Sequence, residues 1–143
     1  AGGDSTLYVL DRNTGKIRWR YMAEYPLEKA PVVTGDRVYQ IVPNKGLVAL
    51  DKLQGKMYRE PLWVVKGAKQ ILSIDDRRIY VLNDQKQVLA VERANGEVRF
   101  TGDLSGYDFF ATNTIDNTIY ALTNSGNVTA IKASENVGLA NAQ

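Results

Sequence analysis

The chain repeats itself every 40 or 41 residues, and this period restricts its possible folds more than any other feature does. Val38-Tyr39, Ile79-Tyr80 and Ile119-Tyr120 are 41 and 40 positions apart. Leu7-Tyr8-Val9-Leu10-Asp11 returns as Leu47-Val48-Ala49-Leu50-Asp51, as Val88-Leu89-Ala90-Val91-Glu92 and as Val128-Thr129-Ala130-Ile131-Lys132. The turn glycines Gly15, Gly55 and Gly96 keep the same intervals. Three independent markers on one period make chance an inadequate explanation.

Inside each period, short β-rich runs alternate with turn residues: Asn13-Thr14-Gly15, Thr34-Gly35-Asp36, Asn44-Lys45-Gly46, Asn83-Asp84, Asn95-Gly96, Asp116-Asn117 and Asn124-Ser125-Gly126. No segment sustains the 3.6-residue spacing of a helix. Four short antiparallel strands per repeat make the blade of a β-propeller, so the expected fold is all-β. The phase of the repeat predicts a partial blade over 5–21, whole blades over 30–63 and 69–101, and a partial blade over 109–132, thirteen strands in all. The propeller region is bounded at 1–133, and 134–143, which lacks a strand pattern, is expected as a frayed tail.

Propellers typically have four to eight blades, and three and a quarter fall short of a ring. A segment of a larger propeller is therefore expected, or an arc closed by a partner or a second copy. The terminal strands near Ser5 to Asp11 and Val128 to Lys132 would be its open edges, and open edges seek pairing.

Composition removes much of the usual catalytic chemistry. At 44% hydrophobic and 24% charged residues, the 143-residue chain is that of a folded domain large enough to hold a core, and one folding unit is expected. It has no cysteine and no histidine, which excludes thiolate nucleophiles, histidine triads and His/Cys zinc sites. The 18 basic and 16 acidic residues are interspersed, giving no basic run for nucleic acid. The densest cluster, Asp75-Asp76-Arg77-Arg78, is charge-balanced at a turn and is expected to be a solvent-facing hairpin tip. No apolar run reaches the ~18 residues of a membrane span. Ala1-Gly2-Gly3-Asp4 lacks the features of a signal peptide, so an export signal or lipid anchor is expected to lie outside these residues.

One segment carries a family resemblance. Asp11-Arg12-Asn13-Thr14-Gly15-Lys16-Ile17-Arg18-Trp19 resembles the tryptophan-docking signature of pyrroloquinoline-quinone (PQQ)-like propellers: an alanine, a spaced aspartate, then Thr-Gly and a tryptophan four residues after the glycine. Val9 stands in place of the alanine. The second unit keeps Ala49, Asp51, Gly55 and Lys56 but has Gln54 for threonine and Arg59 for tryptophan. The third keeps Ala90 and Gly96, with Glu92, Asn95 and Phe100 at the other positions, and the fourth keeps Ala130 alone. Without the resemblance, the residues still have clear physical roles. Glycine permits a positive φ in a hairpin turn, the preceding aspartate bonds the turn backbone, and Trp19 or Phe100 can pack between blades.

A quinone-dependent dehydrogenase, as the resemblance would allow, needs a stacking tryptophan, carboxylate and amide ligands for calcium, and a catalytic aspartate on channel-facing loops. Trp19 and Trp63 fall on outer-strand segments, and most carboxylates fall in turns. Neither a cofactor nor a metal is therefore expected, and no catalytic residue. Asp103-Leu104-Ser105-Gly106-Tyr107-Asp108 does not follow an EF-hand spacing and is expected to bridge two blades. Tyr107, Phe109 and Phe110, with Tyr25 at the equivalent inter-blade position one unit earlier, are the candidates for an interaction surface, against a competing role in blade packing.

The expected function is non-catalytic: protein–protein interaction or scaffolding. Its functional resemblance is to the propeller lipoproteins of the bacterial outer-membrane β-barrel assembly machinery, which implies an extracytoplasmic location. Propeller sensor modules of receptors or kinases and a fragment of a quinoprotein dehydrogenase are the alternatives. The expected partner is another protein, or a second copy meeting the terminal edge strands, with no nucleic acid.

Overall fold

The computed structural model describes residues 4–134 and 138–141. Every regular element among them is a strand, and no helix is long and apolar enough to cross a membrane. The chain divides into two compact units, Ala1–Gly67 and Ala68–Gln143.

In the first unit, β1 (Thr6–Leu10) and β2 (Ile17–Met22) form a two-stranded sheet. Its hairpin turn follows from residue chemistry. Asp11 Oδ1 accepts the backbone N–H groups of Asn13 and Thr14 at 3.0 and 2.9 Å, and Gly15 turns the chain with a φ of 69°. A four-stranded antiparallel meander follows: β3 (Val32–Thr34), β4 (Arg37–Val42), β5 (Gly46–Asp51) and β6 (Trp63–Lys66). β4 and β5 are buried along nearly their whole length rather than on alternate residues, and the one polar side chain buried within β4, Gln40, donates to the Lys29 and Ile41 carbonyls. Leu7, Trp19 and Tyr21 pack on Val38, Val42, Val48 and Leu50, which makes one core of the two sheets.

The second unit holds two four-stranded meanders. One runs β7 (Ala68–Ile74), β8 (Arg78–Asn83), β9 (Gln87–Glu92) and β10 (Val98–Asp103). The other runs β11 (Phe109–Ala111), β12 (Thr118–Leu122), β13 (Val128–Ser134) and β14 (Gly138–Asn141). Their shared core is Leu72, Tyr80, Val88, Ala90, Leu104, Ile119, Ala121 and Ile131. Cross-sheet hydrogen bonds fasten β7 to the segment after β11. Gln70 Nε2 donates to the Phe110 carbonyl at 2.9 Å, Thr112 Oγ1 donates to the Ile71 carbonyl at 2.8 Å, and the Asn113 N–H donates to the Leu72 carbonyl at 2.9 Å.

Four expectations are corrected. The tail expected to fray contains β14, which pairs antiparallel with β13 from Ile131↔Asn141 to Ser134↔Gly138; positions 135–137 and 142–143 lie outside the described residues. This strand carries no alternating pattern in the sequence. The strand near Val128 to Lys132 is consequently not an open edge along its length. The outermost strand of the β3–β6 sheet begins at Trp63, where the repeat phase would have ended it, because the residues before it are diverted to β2. In the Asp75–Arg78 turn only Asp76 and Arg77 are exposed. Arg78 is buried, bonds Glu92 Oε1 at 3.1 Å and lies over the Phe100 ring at 5.8 Å.

Candidate functional site

The four aromatic candidates fall into both units. Tyr25 lies in the connection between β2 and β3 and is more than a third exposed. Tyr107, Phe109 and Phe110 lie in and before β11 in the second unit. There the Tyr107 and Phe110 rings meet edge to face at 6.3 Å, and both pack against the Leu72–Ile131 core. Strand alternation turns Phe109 the other way, and it is 60% exposed. Tyr107 and Phe110 are therefore half-buried against the core and Phe109 faces solvent, while Tyr25 stands in the other unit.

The carboxylates near these aromatics serve the backbone. Asp103 Oδ1 accepts the Ser105 N–H at 3.0 Å and Oδ2 accepts its hydroxyl at 2.9 Å, which holds the carboxyl below the usual aspartate range. Asp108 Oδ2 accepts the Asn124 N–H at 2.7 Å. The same division of labour recurs at Asp11 and Asp51. Asp11 is depressed by the N–H groups of Thr14 and Asn13, and Asp51 by those of Gln54 and Leu53. Among the described residues, no three acidic side chains are grouped to hold a metal ion.

The tryptophans are structural in position. Trp19 is only 2% exposed and donates its Nε1–H to the Lys52 carbonyl at 2.8 Å. Trp63 is half-buried on β6, with its ring 5.8 Å from that of Tyr39.

The connection from Lys52 to Leu62 is a feature the sequence did not single out. The Arg20 N–H donates to the Met57 carbonyl at 2.9 Å and the Arg59 N–H to the Arg20 carbonyl at 2.8 Å, so this stretch adds a parallel bridge outside β2. It also presents Leu53, Met57, Tyr58 and Leu62 to solvent. The one signal available in the sequence was the substitution of Arg59 at a position where the repeat favours an aromatic.

A family model described as outer membrane protein assembly factor BamB matches residues 1–141. Solved structures share the fold. BamB from Moraxella catarrhalis superimposes with a TM-score of 0.65 at 17% identity, over 91% of this chain and 44% of that one. Dihydro-heme d1 dehydrogenase NirN in complex with DHE gives 0.69 at 14% identity, over 98% and 32%. The N-terminal domain of Nup159 gives 0.65 at 14% identity, over 100% and 40%. The chain thus spans less than half the length of each of these structures. No curated protein matches it in sequence.

Proposed function

The chain belongs to the family of the outer membrane protein assembly factor BamB, and from that premise we propose that it is a non-catalytic β-propeller module for protein–protein interaction or scaffolding in the bacterial cell envelope, outside the cytoplasm. The observation that carries this reading is how its functional groups are used. Turn aspartates are consumed by backbone N–H groups, and Trp19 is consumed by packing. Large apolar side chains such as Phe109 are left to solvent. Exposed aromatics on a rigid scaffold are suited to anchoring a partner. Tyr25, Tyr107, Phe109 and Phe110 are the proposed contact residues, with the solvent-facing Phe109 as the anchor. The β1 edge offers a second contact, to another protein or to a second copy.

The test is site-specific photo-crosslinking with the chain exported to the envelope of a Gram-negative host. A photoreactive residue at position 109 should yield a discrete protein adduct, and one at the exposed hairpin position 84 should not. No adduct at position 109, or the same adducts at both positions, would remove the reading.

A further inference from the structure

Each sheet-on-sheet interface within a unit is made of two different halves. In the first unit, Leu7, Trp19 and Tyr21 of one sheet meet Val38, Val42, Val48 and Leu50 of the next. In the second, Leu72, Tyr80, Val88 and Ala90 meet Ile119, Ala121 and Ile131. The repeat fixes the roles. Leu7 and Val88 are equivalent positions on the half that faces forward along the chain, and Leu50 and Ile131 are equivalent positions on the half that receives it.

A forward half is left uncovered on the β11–β14 sheet. Ala111, Tyr120 and Ala130 lie opposite one another across the ladder, as do Phe109, Leu122 and Val128, so strand alternation puts all six on one face. None of the six is charged. Tyr120 and Val128 are 41% and 67% exposed, whereas their equivalents Tyr80 and Val88, packed with Ile119 and Ile131, are 2% and 0%. A receiving half is uncovered as well. Tyr8 and Leu10 of β1 and Met22 of β2 are exposed, although the equivalents of Tyr8 and Leu10, which are Val48 and Leu50, are fully buried with Leu7 and Trp19. Arg20, opposite Tyr8, carries its guanidinium to the Tyr58 ring, 4.4 Å from its centre.

We propose that these two uncovered halves bind each other between copies of the chain: the face of Phe109, Tyr120 and Val128 on one molecule seats on the face of Tyr8, Leu10 and Met22 on a second, head to tail. The internal interfaces identify the occupant. Val128 is the repeat equivalent of Leu7, and Leu10 is that of Leu50. Val128 and the second copy's Leu10 therefore come together as Leu7 and Leu50 do in the core of the first unit. The contact continues an interface that the chain already builds twice, and it removes from water the apolar side chains that each face exposes. It rests on the reading of the chain as an interaction module and names a second copy as the partner of its Phe109 surface.

The test uses two variants of the whole chain, each lacking one half: Phe109→Lys with Val128→Lys, and Leu10→Lys, all at exposed positions. In sedimentation velocity the parent should associate as concentration rises. Each variant alone should associate at least about tenfold more weakly, because a lysine would be enclosed among apolar groups without a counter-charge. An equimolar mixture should regain one contact and form a dimer with one molecule of each, since the first variant keeps its receiving half and the second its forward half. Melting with the parent shows that each variant is folded, and Phe109→Lys or Val128→Lys alone replaces the double variant should that melt lower. A parent that stays monomeric, a first variant that associates by itself, or a mixture that forms no dimer would overturn the proposal. Photo-crosslinking at position 109 separates it from the broader reading. An adduct with a different protein keeps the interaction module and overturns the second copy, whereas a dimer in solution with no adduct in the envelope removes the envelope reading and leaves the contact.

Discussion

The indole Nε1–H of Trp19 donates to the main-chain carbonyl of Lys52, 33 residues further on, at 2.8 Å. One side chain thereby ties the β1–β2 hairpin to the turn that follows β5. The ring adds burial to the hydrogen bond, with Val48 and Leu50 in its core and Arg59 over its face. Trp19→Ala should destabilise the chain by ~3–5 kcal/mol through lost burial and the cavity left behind. Trp19→Phe keeps most of the apolar contact but orphans the Lys52 carbonyl, and should cost ~1–3 kcal/mol. Denaturant titration checks both values, and a Trp19→Ala variant as stable as the parent would refute the docking role.

Gly46 sits where the packing leaves no room for a side chain. Its φ is 121°, and a Cβ there would fall 2.0 Å from the Val65 carbonyl oxygen. Gly46→Ala should force β5 and β6 apart and cost more than ~2 kcal/mol. Gly126→Ala, also at positive φ but with open space around it, should cost only ~1 kcal/mol. Paired thermal melts of the two variants test the order, which matters more than either value.

Acid should unfold the chain late. Asp11 and Asp51 have carboxyl pKa values lowered by the N–H groups of their own turns. In the acid range the unfolded chain therefore binds more protons than the folded one, and stability rises with pH. The contribution of these turns is complete above the unfolded aspartate pKa of ~3.9 and is lost as pH falls below it through the folded values. Melting temperatures should be insensitive to these groups between pH 5 and 7 and drop below about pH 4. Asp11→Asn combined with Asp51→Asn should flatten that drop.

β1 pairs on one side only, with β2. Tyr8 and Leu10 are 38% and 54% exposed, whereas Val48 and Leu50, their equivalents one repeat later, are fully buried beneath β4 and its neighbours. Light scattering over about a hundredfold range of concentration should show association, and Leu10→Lys should suppress it by placing a charge on the edge. Thr129→Pro should instead lower stability, because Thr129 already pairs with Ala121 in the β12–β13 ladder. A monomer at all concentrations would mean that β1 does not pair between chains.

Titration with PQQ in calcium buffer should leave tryptophan fluorescence and melting temperature unchanged, since Trp19 is enclosed and bonded to Lys52. Saturable quenching with dye-linked alcohol oxidation would contradict the non-catalytic reading.

The sequence by itself determined the strands, the turns and the four-stranded unit. These depend on local chemistry: an aspartate that bonds its own turn, a glycine free to take positive φ, and β-branched runs that repeat every 40 or 41 residues. What lies between repeats needed the tertiary structure. β14 has no pattern of its own in the sequence and is seen only in its pairing with β13. Arg78, which looks solvated in a charged tetrapeptide, is drawn inward by Glu92, opposite it on β9, and by Phe100 on β10. Arg59, a simple departure from the motif in sequence, becomes an enclosed cation only because Trp19, Gly55 and two carbonyls converge on it from three segments. Periodicity records which backbone conformation each residue prefers. Which side chain meets a charge, a ring or a cavity depends on contacts across the fold, and those contacts carry the functional surface.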